Sequence, residues 1–483
     1  MKGEKMMKQN QQDTPLYTGL TRFSQQHPIS FHVPGHKNGA IFPELAKNTF
    51  RDILSIDMTE LTGLDDLHAP TGIIAEAEQL AAAFFAADRT FFLVGGSTVG
   101  NLAMILAVCS AGERIIVQRN SHKSIINGLE LCGAVPVFIA PEYDQTAGRY
   151  TQPSLDTLRQ ALRKYPDAKG IVLTYPDYFG KAYKMEQMIQ LAHTYDIPVL
   201  VDEAHGVHFS LGNPFPPSAA RLGADMVVQS AHKMAPAMTM TAYLHITGKL
   251  VAKDRVAHYL QMLQSSSPSY PLMASLDIAR SFLATFSQQD KDKVMTSVKQ
   301  VRACFGQGNA WQLLPATKLD DPLKLTLHIK QGYTGFQVAR YFEQSGIYPE
   351  LATNTQVLFI HGLQPFGELE QLDNAIKHVN DQLKFVEKHA TIEVVNQFPQ
   401  KLDTLAIPYQ QMHLHDIVHV SLHQAVDKVA AEAITPYPPG IPLIMMGERV
   451  TVEHIKQIKH LIKQGATFQH PDIINSICIF ADE

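Results

Sequence analysis

The sequence predicts an α/β fold: a large domain on a mostly parallel sheet of seven strands, with an N-terminal arm before it and a smaller α+β domain after it. Three observations carry that expectation. Short, continuously apolar runs alternate with helix-length segments through the middle of the chain, the pattern of parallel strands buried on both faces. Of the 483 residues, 45% are hydrophobic and 18% charged, so a large core is available and the composition argues against disorder. At roughly 150 residues per domain, that length suits two or three domains.

The elements follow in order. Residues 1–71 are punctuated by "HVPGHKNG" and "TGLDDLHAPTG", whose glycines, prolines and histidines read as loops with short helices, an arm rather than an independent core. Residues 72–306 make the large domain. Its strand candidates are Thr90–Val94, Ile115–Gln118, Val135–Ile139, Ile171–Thr174, Val199–Val201, Met226–Gln229 and Ala242–Ile246. Between the first two, "STVGNLAMILAVCSAGE" reads as a helix closing near Gly112, and later "KMEQMIQLAHTYDIP" reads as an amphipathic helix stopping at Pro198. Over residues 307–483 the rhythm changes. Here "LKLTLHI", "TQVLFIHGL" and "IVHVSLH" read as strands, while "GYTGFQVARYFEQSG" and "ELEQLDNAIKHVNDQLKFVEKH" read as helices. The proline-rich "TPYPPGIPLIMMGE" leads into an apolar segment.

Composition narrows the function. Lysine and arginine number 41 against 46 acidic residues, a net charge of −5, so the chain lacks the basic excess of a nucleic-acid binder. Cys109, Cys132, Cys304 and Cys478 are scattered with no CxxC pair, which fits reduced thiols in the cytoplasm better than a zinc ribbon or disulfide framework. No apolar stretch follows the basic start "MKGEKMMKQNQQD", so no signal peptide is expected. Nothing approaches the apolar length of about 18 residues that a membrane span requires.

Ligands of open α/β sheets bind beyond the carboxyl ends of the strands. After the first strand comes Gly95-Gly96-Ser97-Thr98 and a helix N-terminus, a cradle for a phosphate or a plain glycine turn with a serine cap. After the second comes "RNSHKS" with His122, and after the fourth "YPDYFG", which its Pro176 and Gly180 explain as punctuation. Asp202 follows Val199–Val201, where a desolvated carboxylate needs a partner. "SAHK" follows Met226–Gln229 and places Ser230, His232 and Lys233 there. A desolvated lysine has a lowered pKa and a nucleophilic amine, the property a Schiff base requires. Phosphate cradle, histidine, lone aspartate and lysine together are what a pyridoxal 5'-phosphate (PLP) site needs.

At these residues the chain resembles the fold-type-I PLP enzymes, specifically the bacterial ornithine, lysine and arginine decarboxylases. The matching stretches are "FHVPGHKNG", "DMTELTGLDDLHAPTG", "FFLVGGSTVGNLAMI", "QRNSHKS", "VDEAHGVH", "QSAHKMAPAMTMTAYLH" and "TPYPPGIPLIMMGE", spread from Phe31 to Glu448. The resemblance implies that Lys233 is the Schiff-base lysine and that Asp202 binds the pyridine nitrogen. It implies that His122 stacks on the ring and that His205 lies beside the cofactor near its phenolic oxygen. Ser97, Thr98, Ser230 and His232 would hold the phosphate, with Gly96 supplying backbone. Ser266 would reach the phosphate of a neighbouring subunit, since such sites form at a homodimer interface, and Glu448 would meet the cationic end of the substrate. The implied reaction is decarboxylation of a basic amino acid, with arginine slightly preferred over lysine or ornithine, in polyamine-related metabolism. Two departures stand out. The longer members of the group carry an extra N-terminal domain for which this chain has no room. The phosphate loop has Gly95 where an asparagine is expected, which loosens that turn and removes a side-chain donor.

Other readings compete. "DEAH" (Asp202–His205) is also a helicase signature, but no G-x-x-x-x-G-K-[ST] loop accompanies it. Asp202, Glu203, His205 and His208, with His413, His415 and His419 of "HLHDIVH", suggest a metal hydrolase, although alternation explains the second set if that segment is a strand; no metal is expected. An aminotransferase or other PLP-dependent lyase of the same fold remains open, because one fold hosts many reactions.

Overall fold

The computed structural model describes residues 10–384, 398, 400–437, 441–463, 467–470, 472–473 and 475–481. The chain forms two compact units, Met1–Val108 with Ala192–Gln288, and Cys109–Leu191 with Gln289–Glu483. In chain order the strands used below are β1 (Arg89–Leu93), β2 (Arg114–Gln118), β3 (Val135–Ile139), β4 (Tyr143–Asp144), β5 (Arg149–Tyr150), β6 (Ile171–Thr174), β7 (Val199–Asp202), β8 (Met226–Ser230), β9 (Ala242–Ile246), β10 (Trp311–Leu313), β11 (Lys324–Ile329), β12 (Leu351–Ala352), β13 (Gln356–Ile360) and β14 (Leu402–Thr404). All seven expected strands of the large domain are among them. The first helices are α1 (Pro15–Gln25), α2 (Glu44–Leu54), α3 (Ile73–Phe85), α4 (Gly96–Val108) and α5 (Lys123–Cys132).

In the first unit the strand order is β1-β9-β8-β7. β7 and β8 are parallel, with Leu200 opposite Met226 and Asp202 opposite Val228. β9 is antiparallel to both β8 and β1, so β1 runs in the same direction as β8. Every residue of β7, β8 and β9 is buried, as continuous apolar runs covered on both faces require. α4 packs against β8 and β9. Gly100 permits this approach, because a Cβ there would lie 2.8 Å from side-chain carbons of both Leu93 and Val228.

The arm is fastened to this unit by a buried ion pair. Asp277 and Arg280 lie one turn apart on helix Tyr270–Thr285, both fully buried, with Arg280 Nη2 2.7 Å from Asp277 Oδ1. The other carboxylate oxygen accepts from the Leu16 and Tyr17 N–H groups at 2.9 and 3.3 Å, satisfying orphan donors in the first turn of α1. Arg280 also donates to the Gln11 and Asp13 carbonyls at 2.6 and 2.5 Å.

In the second unit the order is β6-β2-β3-β14. β2 is parallel to β3 and β6. β14 is an eighth strand that the sequence pattern misses; only three residues long, it pairs antiparallel with β3, Asp403 opposite Phe138. A separate antiparallel sheet, β10-β11-β13-β12, packs with helices Gly335–Gln344 and Leu369–Leu383 around Trp311, Phe342 and Ile376. Thr334 and Gln337 form a reciprocal capping box on the first of these helices. The remainder of the second predicted helix, residues 385–389, and part of the proline-rich loop, residues 438–440, lie outside the described residues. "IVHVSLH" contains strand Ile417–Val420, which pairs antiparallel with Ile477–Phe480. α4 ends at Val108, four residues earlier than expected. The turn after it is closed by Glu113, whose carboxylate accepts from the Ser110 N–H at 2.9 Å.

Removing one partner of a buried pair leaves an uncompensated charge. Asp277→Ala should therefore cost about 3–5 kcal/mol of stability, with α1 as the first element to lose protection. Urea melts with hydrogen exchange check this; a loss under about 1 kcal/mol would remove the pair as the arm's anchor.

Candidate active site

The parallel run of β1, β7 and β8 sends their carboxyl ends to one edge of the first unit. Asp202 is the last residue of β7 and Ser230 the last of β8. One helical turn, Ala231–Met234, follows and carries His232 and Lys233. β1 feeds through Val94 and Gly95 into α4.

Two hydroxyls converge at the N-terminus of α4: Ser97 Oγ lies 2.7 Å from Ser230 Oγ. Thr98, in the same first turn, is exposed. Gly96 has φ +74°, the left-handed region, and its N–H donates to the Met240 carbonyl at 2.7 Å, so it shapes the turn with an N–H already engaged. Gly95 relieves crowding rather than backbone strain. It lies outside the positive-φ glycines, and a Cβ there would sit 2.5 Å from Val99 Cγ2. His232 Nδ1 is 3.0 Å from the Thr241 carbonyl, which orients its ring.

Asp202 is buried. Its Oδ2 accepts from Asn101 Nδ2 at 3.0 Å and its Oδ1 from the Ala204 N–H at 3.1 Å. Lys233 Nζ lies 3.1 Å from Nε2 of the buried His205. The structure thus brings together Lys233 with His205, and Ser97 with Ser230, among the expected residues. Ser266 is exposed, between helices Lys253–Leu263 and Tyr270–Thr285.

Glu203, next to Asp202, faces inward and is fully buried. It accepts from the Ala219 N–H at 2.9 Å and from Gln229 Nε2 at 2.6 Å. Gln229 Oε1 is 3.0 Å from His245 Nε2, and His245 Nδ1 is 2.8 Å from Thr90 Oγ1. Burial pushes the Glu203 carboxyl up to about 8 and the His245 imidazole down to about 3, so His245 is neutral. A neutral His245 donates from Nε2 to Gln229 and accepts from Thr90, a consistent chain of bonds from Glu203, just past β7, across β8, β9 and β1.

In the second unit, His122 is exposed and caps α5, its Nδ1 accepting from the Ser124 N–H at 3.2 Å. Three residues earlier Arg119 is buried. Its guanidinium forks onto Glu448, Nη1 on Oε1 and Nη2 on Oε2 at 2.6 Å. Glu448 also accepts the Met445 N–H at 2.8 Å. The carboxylate expected to meet a cationic substrate is therefore engaged by Arg119. Asp403 lies 3.6 Å from Arg119 Nη1, and burial pushes its carboxyl up to about 6 against that cation's pull. Among the described residues no His, Cys, Asp and Glu group has the geometry of a metal site.

Sequence reading missed Asn101, Gln229 and Arg119 as partners. Each left a trace. Asn101 is a polar residue inside an apolar helix, four positions after Ser97; Gln229 follows the apolar run of β8, and Arg119 directly follows β2.

Two family models match the chain, the Orn/Lys/Arg decarboxylase major domain over residues 14–320 and the C-terminal domain of the same family over residues 388–470. This chain belongs to the ornithine/lysine/arginine decarboxylase family. Two Bacillus subtilis proteins are similar throughout. An uncharacterized protein, YaaO, is 45% identical over 95% of this chain and 96% of its own length, and an arginine decarboxylase is 37% identical over 96% of each. The lysine decarboxylase LdcF of Francisella novicida has the same fold, with a TM-score of 0.81 at 17% identity over 97% of this chain and 81% of that one. A serine palmitoyltransferase solved with PLP shares the fold over 64% of this chain and 77% of its own, with a TM-score of 0.51 at 15% identity. These neighbours bear out the fold-type-I expectation.

Two buried carboxyls in the first unit, Glu203 and Glu78, are both pushed up to about 8 by burial. Because their folded pKa values exceed the ordinary carboxyl value, their stabilising contribution is complete below about pH 4.5 and is lost as pH rises through about 8. The melting temperature should fall between pH 7 and 9, and Glu203→Gln should fall less over that interval. An equal fall in the variant would refute the assignment.

Proposed function

We propose that this chain uses PLP to remove the α-carboxylate of a basic amino acid, arginine ahead of lysine and ornithine. The observation that carries this reading is the pairing of two strand ends on one edge: Asp202 closing β7 and Lys233 just past β8, with hydroxyls at a helix N-terminus beside them. That donor set suits PLP: an anionic partner for a pyridinium, an amine for an aldehyde, and hydroxyls with helix-terminal N–H groups for a phosphate. The 37% identity to an arginine decarboxylase supports arginine.

In this reading Ser97, Thr98, Ser230 and His232 hold the phosphate and Lys233 holds the cofactor through its amine. Bound PLP supplies an electron sink for the bond to the departing CO2. Asp202, held by hydrogen bonds from Asn101 Nδ2 and the Ala204 N–H, would keep a proton on the pyridine nitrogen. His205 accepts from or returns a proton to Lys233 Nζ. By the family resemblance His122 covers the open ring face.

We also place the enzyme in the cytoplasm, as a homodimer whose amine product serves polyamine-related metabolism. Among the described residues no helix is long and apolar enough to cross a membrane. Ile29, Phe31 and Leu45 of the arm are 86%, 94% and 100% exposed, apolar surface that a second copy would cover. Ser266 is exposed and free to approach a partner's phosphate.

Purified protein loaded with PLP should absorb in the visible, and Lys233→Ala should lose the borohydride-sensitive band. Arginine should release CO2 and its amine faster than lysine or ornithine. Asp202→Ala should lower kcat/KM about 100-fold or more, a loss of about 2.7 kcal/mol of transition-state stabilisation. Colourless wild-type protein, or an Asp202→Ala variant with near-normal turnover, would overturn the reading.

A further inference from the structure

Arg119 and Glu448 are 329 residues apart in sequence, yet they form a buried two-pronged ion pair. Burying two charges is costly, and such a pair is weak evidence for stability alone. Its geometry fixes direction as well as distance, because a planar guanidinium and a carboxylate meet in one plane. Arg119 Nη2 also donates to the Leu443 carbonyl at 3.1 Å, and Glu448 holds the Met445 N–H, so the pair clamps the segment 443–448.

On the Arg119 side the pair ends in a tightly held turn. The Arg119 N–H donates to the Ile139 carbonyl at 3.0 Å. Gln118 bridges Asn120 Oδ1 at 2.9 Å and the Thr174 N–H at 3.1 Å. Asn120 donates to the Thr151 carbonyl at 2.8 Å, and Ser121 Oγ to the Gln118 carbonyl at 2.8 Å. His122 comes next and caps α5. Each residue from 118 to 121 is thus tied down by a side chain or backbone bond, with no slack before His122.

We infer that Arg119 and Glu448 are a positioning pair: Glu448, through Arg119, sets the turn that places His122, and does not itself touch substrate. The inference rests on the proposed role of His122 in the decarboxylase reading. Asp403, 3.6 Å from the same guanidinium, is a second carboxylate that can pair with Arg119 when Glu448 is neutralised, so conservative variants should stay folded.

The test uses Glu448→Gln, Arg119→Lys, His122→Ala and the Glu448→Gln/His122→Ala double variant in the full-length enzyme, with thermal melts to confirm folding. Glu448→Gln and Arg119→Lys should each lower kcat about 10-fold or more, with KM for arginine within about threefold of wild type, as for a small misplacement. In the His122→Ala background, Glu448→Gln should cost less than about twofold further, because both changes act on one group. Hydrogen exchange read by mass spectrometry on the protein without added PLP should speed up in residues 118–126 in both single variants. A rise in KM with kcat preserved would make Glu448 a substrate contact and overturn the inference. So would additive losses in the double variant, or unchanged exchange at residues 118–126. Wild-type protein without decarboxylase activity would instead count against the proposed function, and the exchange measurement would still decide the pair.

Discussion

The first unit depends on one constraint: β7 and β8 run parallel and are buried along their whole length. Parallel strands covered on both faces have no wet side on which to place a polar group. Groups that need water or a ligand are pushed to the strand ends, and parallel neighbours bring those ends to the same edge. Asp202 and Ser230 lie there for that reason, and Lys233 follows within one turn. The constraint also prices the exceptions. Gln229 and His245 sit inside buried strands, and they persist because Glu203, Gln229, His245 and Thr90 satisfy one another in a continuous chain.

That chain separates the two acidic residues of "DEAH". Asp202 points to the edge and takes its hydrogen bonds from Asn101 and Ala204. Glu203 points into the core, where burial raises its pKa and it accepts from Gln229 of β8 and from the Ala219 N–H. The period-two alternation of an extended segment sends neighbours to opposite sides, and the same alternation puts one carboxylate at the strand-end edge and the other in the core. The second unit solves a similar problem with ionic groups, since Arg119 is held by Glu448 and approached by Asp403.

The arm follows other rules. Asp277 and Arg280 tie down the N-terminus of α1, yet Ile29, Phe31 and Leu45 farther along stand nearly bare. In the proposed homodimer a second copy would cover these side chains, which stand exposed within 20 residues of a capped and buried helix.

By itself the sequence determined where the strands lie and which residues end them. Continuous apolar runs leave no alternative to buried strands, so the seven strands, Asp202 and Lys233 were all legible, as was the family. Side-chain partners were not. Nothing local in "RIIVQR" announces that Arg119 meets Glu448 from 329 positions away, or that Glu448 is thereby engaged. Asn101 was visible only as an odd polar residue until α4 crossed the end of β7. β14, three residues long, lacks the length to produce a pattern and exists because β3 offers an unpaired edge. Local periodicity records how a segment is buried. Which buried groups pair depends on directions and distances between segments, and those come into being only when the chain is packed.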